Sequence, residues 1–371
     1  MKIGFNVRCL VEPGMRGHSR YTVNLLRSLS SHENVELVLF SKEEPWPEHL
    51  SGIRAKVVVF QAPRETLWSD VSLPGMIRRE GIDLFHAPAD RGLPLRKPCP
   101  FVVTVHDSYE RTYWRDLFPT TKSRILYWKN EIANYLLADI VLTVSETTRS
   151  DLIRLGVAPA RKIRAIPLAP AEEFTPTVSS ADEGVLYRHG VEKPYILYVG
   201  GYDTRKNVSS LVQAFDRAHL PRHTLVIVAR KIWDYPTLSK SWERLACFPR
   251  IRCLEVDPPD VPAFYRHADF FVNPSRWESF SFQIVESMAC GTPLLASNRK
   301  AIPEIAGGAA EFFDPDDVDA MARAMERLAG DAHLKADLRA RGLRHAMDFS
   351  WEKTAGETLK EYKKLITRVG L

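Results

Sequence analysis

No stretch of this 371-residue sequence approaches the run of about 18 uninterrupted apolar residues that a membrane-crossing helix needs, which excludes a helical span. Cysteine is scarce. The five residues Cys9, Cys99, Cys247, Cys253 and Cys290 are an odd number and form no C-x2-C pair. That excludes a disulfide-stapled scaffold and a cysteine zinc site, and predicts reduced thiols. The opening Met1-Lys-Ile-Gly-Phe-Asn-Val7 has too short an apolar run for a secretory leader, so a cytoplasmic protein is expected. A strong charge of one sign is also missing. The net +5 from 51 basic and 46 acidic residues permits attraction to phosphates or an anionic membrane surface, but gives no reason to expect nucleic acid as a partner. No His/Cys/Asp cluster has metal-ligand spacing, so no metal is expected. The Gly-Gly pairs at 200 and 307 do not make a G-x-G-x-x-G dinucleotide fingerprint.

What is present fits a soluble α/β chain. A hydrophobic share of 45% beside 26% charged residues is globular, and 371 residues fit two ordinary domains better than one core. Short apolar runs alternate with amphipathic stretches from end to end, the pattern of parallel sheets covered by helices. Strands are predicted near 3–7, 35–40, 57–60, 84–86, 101–105 and 140–144. A second set is predicted near 196–199, 225–228, 251–254, 270–273, 294–297 and 311–313. Between the sets lies Pro167-Leu-Ala-Pro-Ala-Glu-Glu-Phe-Thr-Pro-Thr-Val-Ser-Ser180, a linker by composition. The divisions expected are one doubly wound domain over 1–173, a second over 174–350, and a C-terminal helix over 351–371. Two doubly wound sheets of this kind would face one cleft with the carboxyl ends of their strands.

The most informative block is Asn273-Pro-Ser-Arg-Trp-Glu-Ser-Phe-Ser-Phe-Gln-Ile-Val-Glu-Ser-Met-Ala-Cys-Gly-Thr-Pro-Leu-Leu-Ala-Ser297. It reads as strand end, loop, helix from about Phe282, then strand. Gly291 suits the helix C-terminus and Pro293 forbids continuation. Glu278 falls in the loop and Glu286 in the helix, with a helix N-terminus between them. Carboxylates that can grip sugar hydroxyls beside a phosphate-ready helix end point to a sugar nucleotide.

Other stretches carry polar groups at strand ends. Tyr198-Val-Gly-Gly-Tyr-Asp-Thr-Arg-Lys-Asn207 offers Gly200 and Gly201 for close approach of a phosphate, with Arg205 and Lys206 to offset its charge. Arg230 and Lys231, after the next strand, could assist. Gly14 and Gly17 lie in the loop before the first helix, with Arg16 and Arg20, and an ordinary turn stays open there. His106 and Asp107 close a buried strand. Arg115, Arg124, Tyr127, Trp128 and Lys129 lie in an aromatic, basic stretch that would either receive an acceptor or pack inward. Asp314-Pro-Asp316 is read as the cap of a helix over 318–328.

Glu278-x7-Glu286 followed by Ser-Met-Ala-Cys-Gly-Thr-Pro293 resembles the signature of the retaining two-domain glycosyltransferases of the GT-B fold. The family is family 4, the "glycosyl transferases group 1" type, with its bacterial mannosyl- and hexosyltransferases of surface polysaccharides. The resemblance implies a GT-B fold with a Rossmann-like acceptor-side domain over 1–173, a Rossmann-like nucleotide-sugar-binding domain over 174–350, and the C-terminal helix over 351–371 crossing back to the N-terminal domain. It implies transfer of a hexose, mannose favoured, from GDP-mannose or a UDP-hexose to a glycan, lipid-linked or small-molecule acceptor, with no metal. By the same resemblance His106 and Glu278 face the hexose, and Glu286 holds the ribose. Arg205 and Lys206 take the diphosphate, and Gly17, Gly200, Gly201, Ser279, Phe280, Ser281 and Phe282 line the donor. The family usually reads Glu-Gly-Phe-Gly where this chain has Glu278-Ser-Phe-Ser281, and Ser19 replaces a loop glycine, so the usual hexose preference is open. A sugar-nucleotide epimerase or hydrolase, or an idle donor-binding subunit, are the alternatives. A lipid-linked acceptor would bring peripheral contact with the inner face of an anionic membrane.

Overall fold

The structure is a computed structural model that describes residues 1–369 except 13, 15–16, 62–67, 91 and 231–234. The side chains of 116, 126, 129–133, 236–237 and 369 also lie outside the description. The chain forms two compact units, Met1–Leu168 together with Ser350–Leu371, and Ala169–Phe349.

The first unit holds a seven-stranded sheet of β1 (Lys2–Asn6), β2 (Glu36–Ser41), β3 (Lys56–Val59), β4 (Leu84–Ala87), β5 (Phe101–Val105), β6 (Ile140–Thr143) and β7 (Ile163–Ala165). Their order is β3-β2-β1-β4-β5-β6-β7, and every pairing is parallel. β7 was not anticipated. Three residues with Arg164 in the middle give no apolar run, and pairing with β6 makes the strand. The second unit holds β8 (Tyr195–Val199), β9 (Thr224–Val228), β10 (Ile251–Leu254), β11 (Phe270–Asn273), β12 (Leu294–Ser297) and β13 (Ala310–Phe313), ordered β10-β9-β8-β11-β12-β13 and again all parallel.

Strands buried on both faces explain the continuous apolar runs. All five residues of β5 and the first four of β8 are buried. Helix Val208–Arg217 shows the complementary period, burying Val208, Leu211, Val212 and Phe215 in the core of the second sheet. Each such side chain contributes about 1.5–3 kcal/mol by leaving water. Strand order reverses direction between β1 and β4 and again between β8 and β11. Loops leaving the carboxyl ends of those strands diverge there and leave room for a ligand.

Helix Trp351–Val369 ends the chain and packs against helix Gly17–Ser30 of the first unit. It buries Ala355, Leu359, Tyr362 and Leu365, and Thr354 Oγ1 donates to the Pro167 carbonyl at 2.8 Å. No described helix is long and apolar enough to cross a membrane. The acids at 314 and 316 do not cap the following helix. Asp317 does, accepting from the Ala320 amide at 2.8 Å, because only it sits one residue before the helix Val318–Gly330. Asp314 pairs instead with Arg299, and Asp316 with Arg276.

Candidate functional site

At the β8/β11 reversal the sequence builds a compensated ion cluster. After β8 the chain turns at Gly200, where a Cβ would lie 2.6 Å from the Tyr198 hydroxyl oxygen, so only glycine fits unmoved. That hydroxyl donates to the Gly201 carbonyl at 2.6 Å. A single 3-10 turn, Thr204–Lys206, is stopped by Asn207 in the left-handed conformation at φ 59°. The Asn207 amide donates to the carbonyls of Pro274 (3.2 Å) and Pro315 (2.8 Å), tying the loops after β8, β11 and β13 together.

This places Lys206 Nζ 2.7 Å from Glu278 Oε1, and Ser275 Oγ donates to the same oxygen at 2.9 Å. Glu278 is buried. Burial pushes its carboxyl up, but the charges of Lys206 and Arg205 and the hydrogen bonds from Lys206 and Ser275 outweigh it, and the net shift is downward. The carboxylate is therefore held ionised. Its Oε2 makes no hydrogen bond among the described residues, and the ammonium uses one of its three donors on Oε1. Arg205 lies beside this pair with its Nε 3.0 Å from Asp203 Oδ1. Arg230 is exposed, and Lys231 lies outside the described residues.

Ser279, Phe280 and Ser281 are buried, and Ser281 opens the helix Phe282–Ala289 with φ 71° and ψ 92°. A side chain at that angle is strained. Asn273 Nδ2 donates to Ser281 Oγ at 2.9 Å, and Oγ in turn donates to Gln283 Oε1 at 3.2 Å, so the added hydroxyl is engaged inside the loop. Among the described residues no hydrogen bond within the unit engages the amides of Phe280 and Ser281. Glu286, on the same helix, is buried and accepts from the Tyr265 hydroxyl at 3.2 Å. Gly291 follows at φ 69°, as a helix end requires.

In the first unit, His106 follows β5. Its Nε2 is 2.7 Å from the Pro88 carbonyl, which can only accept, so Nε2 carries a proton, and in the tautomer with that single N–H the acceptor is Nδ1. Its amide donates to Asp90 Oδ1 at 2.9 Å. Buried Arg111 lies 3.8 Å from Asp90 and donates to the Asp107 carbonyl. Gly17 is the exposed first residue of its helix, and a Cβ there would meet nothing within 4 Å, so no packing demands glycine. Ser19 turns inward and donates to the Cys9 carbonyl at 2.8 Å. Arg16 lies outside the described residues, as do the side chains of residues 129–133. The aromatic stretch packs on itself. Tyr127 is buried and stacks on Phe118, Trp114 meets Trp128 edge-on, and Arg124 covers Trp114.

A family described as "Glycosyl transferases group 1" matches residues 193–331, and "Glycosyltransferase Family 4" matches 15–169. The "O-antigen chain mannosyltransferase B" of Escherichia coli is 34% identical over 394 aligned positions, covering 98% of this chain and 100% of the relative. The chain belongs to glycosyltransferase family 4. The "MMP alpha-(1->4)-mannosyltransferase" of Mycolicibacterium hassiacum is 26% identical over 79% of this chain and 73% of that protein. Anabaena HepE, solved in complex with UDP-glucose, superposes with a TM-score of 0.75 at 17% identity, over 97% of this chain and all of that one. The fold is thus the α/β GT-B fold with two Rossmann-like domains, and the protein is a glycosyltransferase.

For this glycosyltransferase the structure adds residues the sequence did not single out. Ser275 anchors the loop acid Glu278, Asn207 ties three loops, and Tyr265 donates to the helix acid Glu286. None has a periodic or charge signature. Among the described residues no group of three or more His, Cys, Asp and Glu is placed to hold a metal ion.

Proposed function

We propose that this glycosyltransferase moves a hexose, mannose first, from a nucleoside diphosphate sugar to a growing glycan with retention at the anomeric carbon. The observation that carries the reading is the pairing of half-buried Lys206 with buried Glu278 and Ser275 at the strand-order reversal, which among the described residues keeps two ammonium donors and one carboxylate oxygen unused. A diphosphate would take Lys206, Arg205 and the amides of Phe280 and Ser281, so that leaving-group charge is met without a metal. Glu278 Oε2 would accept from hexose hydroxyls, Glu286 from ribose hydroxyls, and His106 Nδ1 from a sugar hydroxyl. Gly17, Gly200, Gly201, Arg230, Ser279 and Ser281 complete the donor contacts in this reading.

Mannose is favoured because two relatives are named mannosyltransferases, and the name of the first, an O-antigen chain enzyme, favours a glycan acceptor. An acceptor carried on lipid would bring salt-sensitive contact with anionic membrane. Exposed Arg115, Leu117, Lys122 and Ile125 favour that contact, and co-sedimentation with anionic vesicles at low and high salt tests it. The central test is calorimetry against GDP-mannose, UDP-glucose and UDP-galactose, followed by NMR of the anomeric proton in the product. Tightest binding of GDP-mannose and an α-glycoside are expected. No donor binding, free or isomerised sugar as sole product, or an inverted anomer would overturn the reading.

A further inference from the structure

A second buried network lies in the first unit, in residues that the donor-site reading leaves without a role. Tyr362, on the C-terminal helix, has its hydroxyl 2.5 Å from His86 Nδ1. His86 Nε2 is 2.8 Å from Thr104 Oγ1, and Thr104 Oγ1 is 3.0 Å from the Tyr21 hydroxyl. The ring of Tyr21 meets the ring of His106 edge-on, centroids 4.8 Å apart at 73°. Helix 17–30, β4, β5 and the C-terminal helix thus each give one group to a chain that ends on His106. All four groups are buried.

The chain is neutral. Burial, and next the charge of His106, push His86 down to about 3, so the ring carries a single N–H at ordinary pH. A ring with one N–H must accept at its other nitrogen. If the proton is on Nε2, Tyr362 donates to Nδ1. If it is on Nδ1, Thr104 donates to Nε2 and Tyr21 donates to Thr104. The hydroxyl of Tyr362 therefore constrains that of Thr104, and so where the Tyr21 phenol is pinned. The Tyr21 ring packs edge-on against His106, and the Pro88 carbonyl holds the imidazole through Nε2.

We infer that Tyr362, through His86, Thr104 and Tyr21, is a positioning residue for His106, fixing the direction in which the free Nδ1 points. This rests on the reading of His106 as a sugar-facing group. It gives the returning C-terminal helix a part in the reaction as well as in packing.

The test uses the full chain with 15N-labelled histidine. Ring-nitrogen NMR reads the tautomer and environment of His106, and GDP release from GDP-mannose reads turnover. Tyr362→Phe and Thr104→Val cut the chain at its end and middle, while Thr104→Ser keeps the hydroxyl. Both cuts are expected to move the His106 ring signals and to lower kcat about tenfold with KM for the donor nearly unchanged, and Thr104→Ser to restore both. Because Tyr362→Phe bares a buried nitrogen and could fail to fold, the Thr104 pair carries the test by itself. Unmoved His106 signals in the cut variants, or equal effects of Thr104→Val and Thr104→Ser, overturn the inference. His106→Ala checks the underlying reading separately. If it leaves turnover intact, the role of His106 is wrong, whereas the ring signals still decide whether the chain positions it.

Discussion

The two units place opposite chemistry near corresponding strand ends. In the second, Lys206 and Arg205 face Glu278 and Asp203, and the buried acid is held ionised. In the first, the buried groups around His106 are phenols, a threonine and a histidine held neutral. An ion cluster with spare donors can meet a ligand that brings its own charge. A neutral hydrogen-bonded chain brings little charge but fixes direction.

The largest effect that would break this contrast is at Lys206. Lys206→Ala leaves Glu278 buried without its closest cation, and a loss of about 3–5 kcal/mol in urea unfolding is expected. The neutral pair Lys206→Met/Glu278→Gln should fold within about 2 kcal/mol of wild type, since replacing both ions removes the desolvation cost with the attraction. A single variant no worse than the double would show that the cluster is not an interdependent pair.

Acid titration sharpens the contrast next. His86 is depressed from 6.5 to about 3, so between those values the unfolded chain takes up a proton that the folded chain refuses. Stability from this group is complete above 6.5 and is lost as pH falls toward 3. Glu278 is also depressed, so its contribution is complete above the ordinary carboxylate value and is lost only in more acid solution. Unfolding free energy measured from pH 7 to 5 should therefore fall less steeply in His86→Asn than in wild type. Equal slopes would remove His86 as a buried neutral group.

Two smaller effects concern backbone. Asn207→Gly keeps the left-handed turn but loses both amide bonds, and should cost roughly 1–2 kcal/mol in thermal unfolding. Ser281→Gly relieves a positive φ while losing the Asn273 bond, and the two should nearly cancel, within about 1 kcal/mol. A large loss there would mean that the Asn273 bond organises the whole loop.

Much of this was legible in the sequence. Apolar runs alternating with amphipathic stretches located twelve of the strands, and Gly291 with Pro293 fixed the end of the Glu286 helix. Lys206 and Glu278 were each read as donor-site groups. Their contact was not, because 72 positions separate them and only the β8/β11 adjacency brings them together. Ser275 and Asn207 carry no periodic signal, and their meaning is in the carboxylate and carbonyls they reach. The cap at Asp317 was missed by register: three acids in four residues compete, and the hydrogen bond picks one. The Tyr362–His86 bond spans 276 positions and exists only because the last helix returns to the first unit.

The most direct test of the account is whether Lys206 recognises phosphate. Calorimetry with GDP and with guanosine, on wild type and on Lys206→Met/Glu278→Gln, separates the charge from the base. The account predicts that the double variant loses about 1.5–3 kcal/mol of affinity for GDP, as expected when charge-assisted hydrogen bonds are removed, while guanosine binding stays within about twofold. Equal weakening of both ligands, or unchanged GDP binding, would contradict it.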